Sequence, residues 1–316
     1  MNKIKDIIAD AQTIAISGHF NPDGDSTGAS MGLYHYLSQM YPDRQIDVFL
    51  EKIPAYFSIL DDLDRIQHED NHQEYDLFIG LDCDQSRLGF SEVIYNRAKR
   101  RVCIDHHISN SSNADEIILD ANASSTCELV YRLLEDVMIP IKAAKALYTG
   151  IVHDTGVFRY SCTSPETMEV AANLMRKGFD ASEIIRYTFY EKSYGQNQIL
   201  GLALFESMLL LDKTCIASVV SQRDMNIFDL QKEDLEGIVS QLLLTKGVEV
   251  AIFLHELSLN QYKVSLRSVS KVDVSLIAQY FGGGGHIRAA GVTMSGNHYD
   301  VIHNIVAQIE IQLTEK

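Results

Sequence analysis

Short apolar runs alternate with helical patterns through roughly the first 190 of the 316 residues of this chain. Continuous apolar runs of about four to eight residues are typical of strands buried on both faces, and intervening helices make such strands parallel. The predicted strands are 13–18, 45–50, 75–82, 101–105 and 116–119. The predicted helices are 25–40, 124–136, 141–152, 165–177 and 181–190. This part of the chain is therefore predicted to be an α/β domain, a mostly parallel sheet with helices on both faces.

The pattern changes beyond residue 190. Residues 191–212 begin polar and continue as an apolar helix, which indicates a connector. Strands are then predicted at 214–221, 248–257 and 261–268, with a helix near 230–244, a glycine run, and a last helix at 298–313. We therefore expect a first domain at 1–190, a helical connector at 191–212, and a smaller α+β domain at 213–316 that lies across a cleft from the first.

The formal net charge of −16 opposes binding to long duplex nucleic acid, which depends on neutralising many phosphates with Lys and Arg. The basic cluster Arg97, Lys99, Arg100 and Arg101 closes a predicted helix, and we interpret it as a complement to the helix dipole. There is no run of about twenty apolar residues and no signal-peptide pattern. A cytoplasmic protein without a membrane partner is expected.

The five cysteines are an odd number and include no Cys-x-x-Cys pair. Both facts argue against a disulfide framework and against a zinc-thiolate site. Most of the cysteines have apolar neighbours in the sequence, so we expect small buried side chains.

Residues with metal-binding side chains follow the predicted strands. His19, Asp23 and Asp25 come directly after the first strand, in a turn marked by Asn, Pro and Gly. Three later groups recur at strand or helix ends, namely Asp82, Asp105-His106-His107 and Asp154. Because ligand sites of parallel sheets lie off the carboxyl ends of the strands, these side chains are predicted to converge on a metal site.

Charge balance indicates how many cations this site holds. The carboxylates of Asp23, Asp25, Asp82 and Asp154 carry about −4, and like charges so close cannot all stay ionised without compensation. Two divalent cations supply that compensation, and oxygen-rich ligands with some imidazole suit Mn(II), or Mg(II) or Co(II), better than structural zinc. A two-cation site typically serves phosphoryl hydrolysis, and Asp82 is our candidate for the carboxylate shared by both ions.

The second domain contains a candidate phosphate site. Four consecutive glycines, 282–285, would expose backbone amides, and a helical pattern from His286 to Ala290 would aim its N-terminus at an anion. Arg267 can bind a phosphate through two parallel hydrogen bonds. The candidate substrate-binding residues are Arg267, Ser268, Gly283, Gly284, Gly285 and His286.

The chain resembles the DHH phosphoesterase superfamily, named for the triplet present here as Asp105-His106-His107. The similarity continues through residues 81–89 and 154–160, and residues 264–268 with 282–291 look like the DHH-associated substrate domain. The resemblance covers essentially the whole chain. A compact two-domain chain of this kind is most similar to the bacterial nano-RNase group, the bifunctional oligoribonucleases and 3′-phosphoadenosine-5′-phosphate (pAp) phosphatases.

The resemblance implies roles for individual residues. One Mn(II) would be bound by His19, Asp23 and Asp82, and the other by Asp25, Asp82, His106 and Asp154. His107 would face the substrate phosphate, and Asp105 would orient the histidines as a hydrogen-bond acceptor. Two features depart from the pattern: His153 stands where relatives often carry Thr, and Asp84 is a competing ligand that we expect to be peripheral.

The resemblance also implies hydrolysis of short single-stranded RNA to 5′-mononucleotides and removal of the 3′-phosphate of pAp. Hydrolysis of linear or cyclic dinucleotides (pApA, pGpG, cyclic di-AMP) and of pyrophosphate would use the same metal ligands. The glycine-rich segment favours nucleotides over pyrophosphate. A non-catalytic nucleotide sensor is the alternative from another class, although the chain retains every ligand. The preferred substrate and homodimerisation stay open.

Overall fold

The computed structural model describes residues 3–314 and divides into two compact units that meet in sequence between Glu191 and Lys192. The segment expected to be a connector, 191–212, contains a helix and a strand that both belong to the second unit. None of the helices between residues 3 and 314 combines the length and apolar character that crossing a bilayer requires.

The first unit contains a six-stranded parallel sheet in the order β3-β2-β1-β4-β5-β6. Its strands are β1 Thr13–Ser17, β2 Gln45–Phe49, β3 Ile66–Gln67, β4 Leu77–Leu81, β5 Arg100–Asp105 and β6 Glu116–Leu119. Its helices are α1 Ile4–Ile7, α2 Gly24–Met40, α3 Glu92–Arg97, α4 Thr126–Leu133, α5 Ile141–Asp154, α6 Pro165–Met175 and α7 Ala181–Ile185. A π-helical turn, Arg186–Tyr190, continues α7.

Both faces of this sheet are covered, because successive side chains of a strand point to opposite faces. Ile14 and Ile16 of β1 pack in the core that also contains buried residues of α2, α4 and α5. Ala15, between them, packs on the other face with a cluster that includes Ile94 and Tyr95 of α3. The predicted fold class of the first domain, a parallel sheet with helices on both faces, is confirmed.

The strand order creates a switch point in the middle of the sheet. β1 and β4 are neighbours, and the chain proceeds outward from β1 through β2 to β3 and from β4 through β5 to β6. The helices that follow these two strands pack on opposite faces of the sheet, α2 after β1 and α3 after β4. Open parallel sheets bind ligands at such a point.

Several helix starts are encoded locally. Asp23, Ser125, Ser164 and Ser193 each precede a helix, and the side chain of each accepts a hydrogen bond from a backbone amide of the first turn. These contacts satisfy amides that have no partner within the helix.

All four residues of the basic cluster have acidic partners. Arg97 pairs with Asp70, Lys99 Nζ lies 2.9 Å from Asp76, Arg100 pairs with Glu116, and Arg101 Nη2 lies 3.0 Å from Asp115. Arg97 also ends α3. These pairings agree with a structural role for the cluster.

The second unit contains a six-stranded sheet in the order β11-β12-β10-β9-β8-β7, in which only β8 and β9 are parallel. Its strands are β7 Met208–Leu210, β8 Cys215–Val220, β9 Val250–Ser258, β10 Gln261–Ser268, β11 Gly284–His286 and β12 Ala289–Ser295. Its helices are α8 Tyr194–Phe205, α9 Gln222–Ile227, α10 Ile238–Leu243, α11 Val274–Tyr280 and α12 His298–Thr314. The expected α+β class of this unit is confirmed.

The helix predicted from His286 to Ala290 is wrong. His286 ends β11 and Ala289 begins β12, and the two strands pair antiparallel. β12 in turn pairs with β10 from Ala289 to Ser295. The tertiary pairing with β10 outweighs a short helical pattern that follows four poor helix formers. The helix expected near 230–244 is also shorter than predicted, since only Ile238–Leu243 is α-helical there.

Four of the five cysteines are buried and free, as expected, and Cys162 is exposed.

Candidate metal centre

The turn after β1 places the first group of candidate ligands. The backbone amide of Phe20 donates to the carbonyl of Arg87 at 2.7 Å, which ties this turn to the segment after β4. Asp23 then begins α2: its Oδ1 accepts from the amides of Asp25 at 3.0 Å and Ser26 at 3.1 Å. The capping contact and the helix turn hold Asp23 and Asp25 beside the carboxyl end of β1.

His19 presents one ring nitrogen to two carboxylates. Its Nδ1 lies 2.9 Å from the carbonyl oxygen of Phe20, so Nδ1 is the donor. Nε2 lies 3.6 Å from Asp23 Oδ1 and 3.4 Å from Asp82 Oδ2. When a carbonyl accepts a hydrogen bond from Nδ1–H, Nε2 of the neutral imidazole carries the lone pair that can bind a metal.

His106, which directly follows β5, has the same arrangement. Its Nδ1 lies 3.3 Å from the carbonyl oxygen of Ala123. Nε2 faces three carboxylates, with Asp154 Oδ2 at 3.1 Å, Asp82 Oδ1 at 3.7 Å and Asp25 Oδ2 at 3.8 Å. Nε2 is buried and meets no partner of acceptable hydrogen-bond geometry among residues 3–314. A buried nitrogen without a hydrogen-bond partner is typical of a metal ligand, and this observation supports a cation site here.

Asp82 lies between the two histidines. It follows β4 in a left-handed backbone conformation, with φ of +63°, and its side chain is almost fully buried. Oδ2 faces His19, whereas Oδ1 faces His106 and accepts from the hydroxyl of Thr126 at 2.9 Å. The two oxygens of one carboxylate therefore serve opposite sides of the site.

The start of α4 holds Asp25. The amide of Thr126 donates to Asp25 Oδ2 at 2.6 Å and the amide of Cys127 donates to Oδ1 at 2.9 Å. Our sequence reasoning did not identify Thr126 or Cys127. The available signal was the Ser125-x-x-Glu128 spacing, which marks a helix start and hence free amides.

His107 is oriented by Asp105. Asp105 Oδ1 lies 2.8 Å from His107 Nδ1 and accepts from the His107 amide at 3.0 Å. Asn110, a third residue that was not identified from the sequence, donates through Nδ2 to Asp105 Oδ2 at 2.5 Å. Asp105 was expected to orient both histidines, but Ala123 has that role for His106.

The structure brings the candidate ligands into three overlapping groups whose ligand atoms lie within 4.8 Å of one another. The groups are His19 with Asp23 and Asp82, Asp25 with His106 and Asp154, and Asp82 with His106 and His107. Each group offers the imidazole and carboxylate atoms that Mn(II) accepts.

The carboxyl groups crowd one another in the metal-free protein. Burial and the charge of Asp25 raise the pKa of Asp82 to about 8, and the same two causes raise the pKa of Asp154 to about 6. Although burial opposes it, the hydrogen bond with His19 lowers the pKa of Asp23 to about 2.

The pKa values of the two imidazoles are also raised. Burial alone would lower the pKa of each imidazole. The carboxylates of Asp23 and Asp82 nevertheless raise the pKa of His19 to about 10. Those of Asp154 and Asp25 raise the pKa of His106 to about 10. The carboxylates of this site therefore favour protonated imidazoles beside them. Divalent cations would take the place of those protons and release them.

Asp84 and His153 have partners of their own. Asp84 caps the turn after β4 and accepts from Ser86 and Ser111, which agrees with a peripheral position. The Thr188 hydroxyl donates to Ile184, so it accepts from His153 Nε2 at 2.9 Å.

The candidate substrate residues of the second unit lie on or beside two of its strands, the edge strand β11 and the inner strand β10. β11 contains Gly284, Gly285 and the exposed His286. Arg267, near the end of β10, donates through Nη1 to the Leu266 carbonyl at 3.0 Å. The hydroxyl of Ser268 is buried and donates to the Val272 carbonyl at 2.6 Å, which is a structural contact.

Family models match both units. Residues 13–151 match the DHH family, N-terminal domain, and residues 212–314 match the DHHA1 domain. The chain therefore combines a DHH domain with a DHHA1 domain. The triplet of the family name is Asp105-His106-His107, at the end of β5.

Known proteins resemble this DHH protein over nearly its full length. The bifunctional oligoribonuclease and PAP phosphatase NrnA of Bacillus subtilis is 27% identical over 94% of each chain. The cyclic-di-AMP phosphodiesterase GdpP of the same organism is 25% identical over 93% of this chain and 46% of its own. A crystal structure of an exopolyphosphatase-related protein from Bacteroides fragilis superposes with a TM-score of 0.89 at 28% identity, over 97% of this chain and 94% of that one. The first two names describe hydrolases, the enzyme class expected from the sequence.

Proposed function

We propose that this DHH protein is a two-metal phosphoesterase that hydrolyses short single-stranded RNA to 5′-mononucleotides and removes the 3′-phosphate of pAp. The observation that carries the proposal is the sharing of Asp82 between two ligand groups on opposite sides of its carboxylate. The full-length similarity to NrnA supports the choice of substrates.

His19, Asp23 and Asp82 would hold one cation, and Asp25, Asp82, His106 and Asp154 would hold the other. We propose Mn(II) because the donor set contains carboxylate oxygens and imidazole nitrogens and includes no thiolate. Two such cations supply a nucleophile near neutral pH and neutralise the charge on the attacked phosphate.

His107 is the proposed proton donor to the leaving ribose oxygen. Its Nδ1 is engaged by Asp105, so Nε2 is the nitrogen available to substrate. The hydrogen bond to Asp105 raises the pKa of His107, which favours the protonated form that a proton donor needs. Asp105 thus holds both the orientation and the charge of the imidazole.

We further propose that Arg267, Ser268, the glycines at 283–285 and His286 form the nucleotide-binding part of the protein. Arg267 and His286 offer charge and hydrogen bonds to a phosphate, and glycine permits its close approach. The acidic composition, with a net charge of −16, supports short anionic substrates over long duplexes. A cytoplasmic location and the oligomeric state stay predictions.

The test is an assay of the purified protein with Mn(II), with Asp82→Ala as the control. The substrates offered in parallel are pAp, pApA, pGpG, cyclic di-AMP, pyrophosphate, and single-stranded RNAs of about 5 and about 24 nucleotides. We expect hydrolysis of pAp and the shorter RNA, and none by Asp82→Ala. Hydrolysis of dinucleotides alone would move the assignment to a dinucleotide phosphodiesterase, and hydrolysis of pyrophosphate alone would overturn the nucleotide assignment.

Arg267→Ala separates the second unit's contribution from that of the metals. We expect this variant to raise KM for pAp roughly tenfold or more and to leave Mn(II) binding unchanged, because Arg267 and the proposed ligands lie in different units. An unchanged KM would remove Arg267 from the proposed nucleotide site.

A further inference from the structure

Thr126 contacts two of the proposed ligands at once. Its amide donates to Asp25 Oδ2 at 2.6 Å, and its hydroxyl donates to Asp82 Oδ1 at 2.9 Å. All three residues are almost completely buried. Asp25 lies in α2 and Asp82 follows β4, so one residue of α4 links carboxylates from two other segments.

The hydroxyl of Thr126 constrains how Asp82 is turned. While Oδ1 accepts from Thr126, it lies 3.7 Å from His106 Nε2, and Oδ2 lies 3.4 Å from His19 Nε2. Rotation of the carboxylate would move Oδ1 away from His106 and Oδ2 away from His19. The hydrogen bond therefore keeps one oxygen directed to each ligand group.

The start of α4 is itself firmly held. Ser125 accepts from the Glu128 amide at 3.1 Å. The buried carboxylate of Glu128 accepts from the Ser124 amide at 3.1 Å and from the Thr167 hydroxyl at 2.8 Å, and it pairs with Arg132. These bonds join the preceding loop and α6 to α4, so Thr126 is fixed in place before any cation binds.

We propose that Thr126 is a positioning residue for cation binding, acting through the orientation of the Asp82 carboxylate. This inference rests on the proposed two-metal function. Outer partners of metal ligands typically change affinity or activity about 10–100-fold when they are removed. Thr126→Val removes the hydroxyl, preserves the branched shape, and keeps the amide that binds Asp25.

The test measures Mn(II) affinity directly, by electron paramagnetic resonance of the free ion during titration of the full-length protein. We expect Thr126→Val to weaken Mn(II) binding about 10–100-fold and Thr126→Ser, which retains the hydroxyl, to restore it to within about threefold. The matched control is Thr13→Val. The Thr13 hydroxyl accepts from the Asp76 amide at 2.9 Å at the opposite end of the sheet, so Mn(II) affinity should not change.

A second readout separates positioning from general loss of structure. At saturating Mn(II), we expect Thr126→Val to recover activity on pAp with KM unchanged, because the nucleotide contacts are intact. The melting temperature in EDTA checks the fold, and Thr126→Ala replaces the valine variant if that variant does not fold.

The outcomes distinguish this inference from the proposed function. A wild-type protein that binds no Mn(II) would overturn the metal centre itself. If the wild-type protein binds Mn(II) and Thr126→Val binds it with the same affinity, the positioning role alone is overturned. Failure of Thr126→Ser to restore affinity would also contradict it, since the hydroxyl is present in that variant.

Discussion

At the scale of single residues, Asp82 combines unfavourable features that a bound cation would offset. Its backbone has φ of +63°, a conformation that is uncommon for residues other than glycine. Its buried carboxyl is close to other acidic groups, and burial and the charge of Asp25 raise its pKa. Such sites store strain and charge repulsion that the rest of the fold compensates.

We therefore predict that Asp82→Asn destroys activity and stabilises the metal-free protein. Asn tolerates the left-handed conformation better than most residues and carries no charge. We expect at least a 100-fold loss of turnover, and a rise in melting temperature in EDTA of about 2–4 °C for each kcal/mol gained. Calorimetry in EDTA tests this, and an unchanged or lower melting temperature would contradict the charge-repulsion argument.

The proposed ligands were predictable from sequence because His and Asp are distinctive in type and recur after strands. The groups that hydrogen-bond to these ligands were harder to predict from the sequence. Asp25 is held by the amides of Thr126 and Cys127, about a hundred positions further along the chain, and His106 is oriented by the carbonyl of Ala123. Every residue has an amide and a carbonyl, so these roles carry no residue signature.

At the scale of secondary structure, the paired strands β11 and β12 show where local pattern fails. Residues 286–290 were predicted to be helical, but Gly285 has φ of +145° and its neighbours pair across the sheet. A Cβ at Gly285 would lie 2.5 Å from the Ala289 carbonyl oxygen, whereas one at Gly284 would meet no atom within 4 Å.

Gly285→Ala should therefore disrupt β11 and Gly284→Ala should not. For Gly285→Ala we expect a loss of about 1–3 kcal/mol in the free energy of unfolding and a higher KM for pAp. For Gly284→Ala the expected change in free energy is within about 0.5–1 kcal/mol. Urea unfolding and steady-state kinetics measure both, and equal effects of the two substitutions would refute the steric explanation.

Asp76 connects the amino ends of neighbouring strands, and its contacts should make the free energy of unfolding depend on pH. Its carboxylate lies 2.9 Å from Lys99 Nζ and accepts from the amides of Gln12 and Thr13, and these contacts lower the pKa of Asp76 to about 2. The unfolded value is about 3.9, so the carboxylate stabilises the fold above about pH 4, and this contribution is lost as pH falls through about 2.

We expect Asp76→Asn to lower the free energy of unfolding by about 1 kcal/mol near neutral pH and by progressively less below about pH 4. Urea unfolding of both proteins near pH 7, 4 and 3 tests this. A difference that does not vary with pH would show that packing, and not charge, is responsible.

At the scale of the whole molecule, each unit has hydrophobic cores of its own. The clusters around β1 and α5 contain residues of the first unit, and those around β9 and α12 contain residues of the second. All proposed metal ligands lie in the first unit.

We therefore predict two thermal unfolding transitions, one for each unit. Mn(II) should raise the transition temperature of the first unit only. Ligand binding stabilises the part that binds, and at about 100 times the dissociation constant the gain is about 2.7 kcal/mol. Differential scanning calorimetry with Mn(II) and with EDTA measures the effect. A single transition would show that the two units unfold together. An equal shift of two transitions would show that Mn(II) also stabilises the second unit, contrary to this prediction.

The parallel sheet of the first unit and the chemical types of its proposed ligands could be predicted from the residue pattern alone. Apolar periodicity specifies strands and helices locally, and the carboxyl ends of parallel strands meet at one edge. The tertiary structure decided that β1 and β4 are neighbours, that the two oxygens of Asp82 face different histidines, and that α4 aims its first amides at Asp25. It also decided that residues 286–290 pair as strands. These outcomes depend on contacts between segments far apart in the chain, which local patterns do not encode.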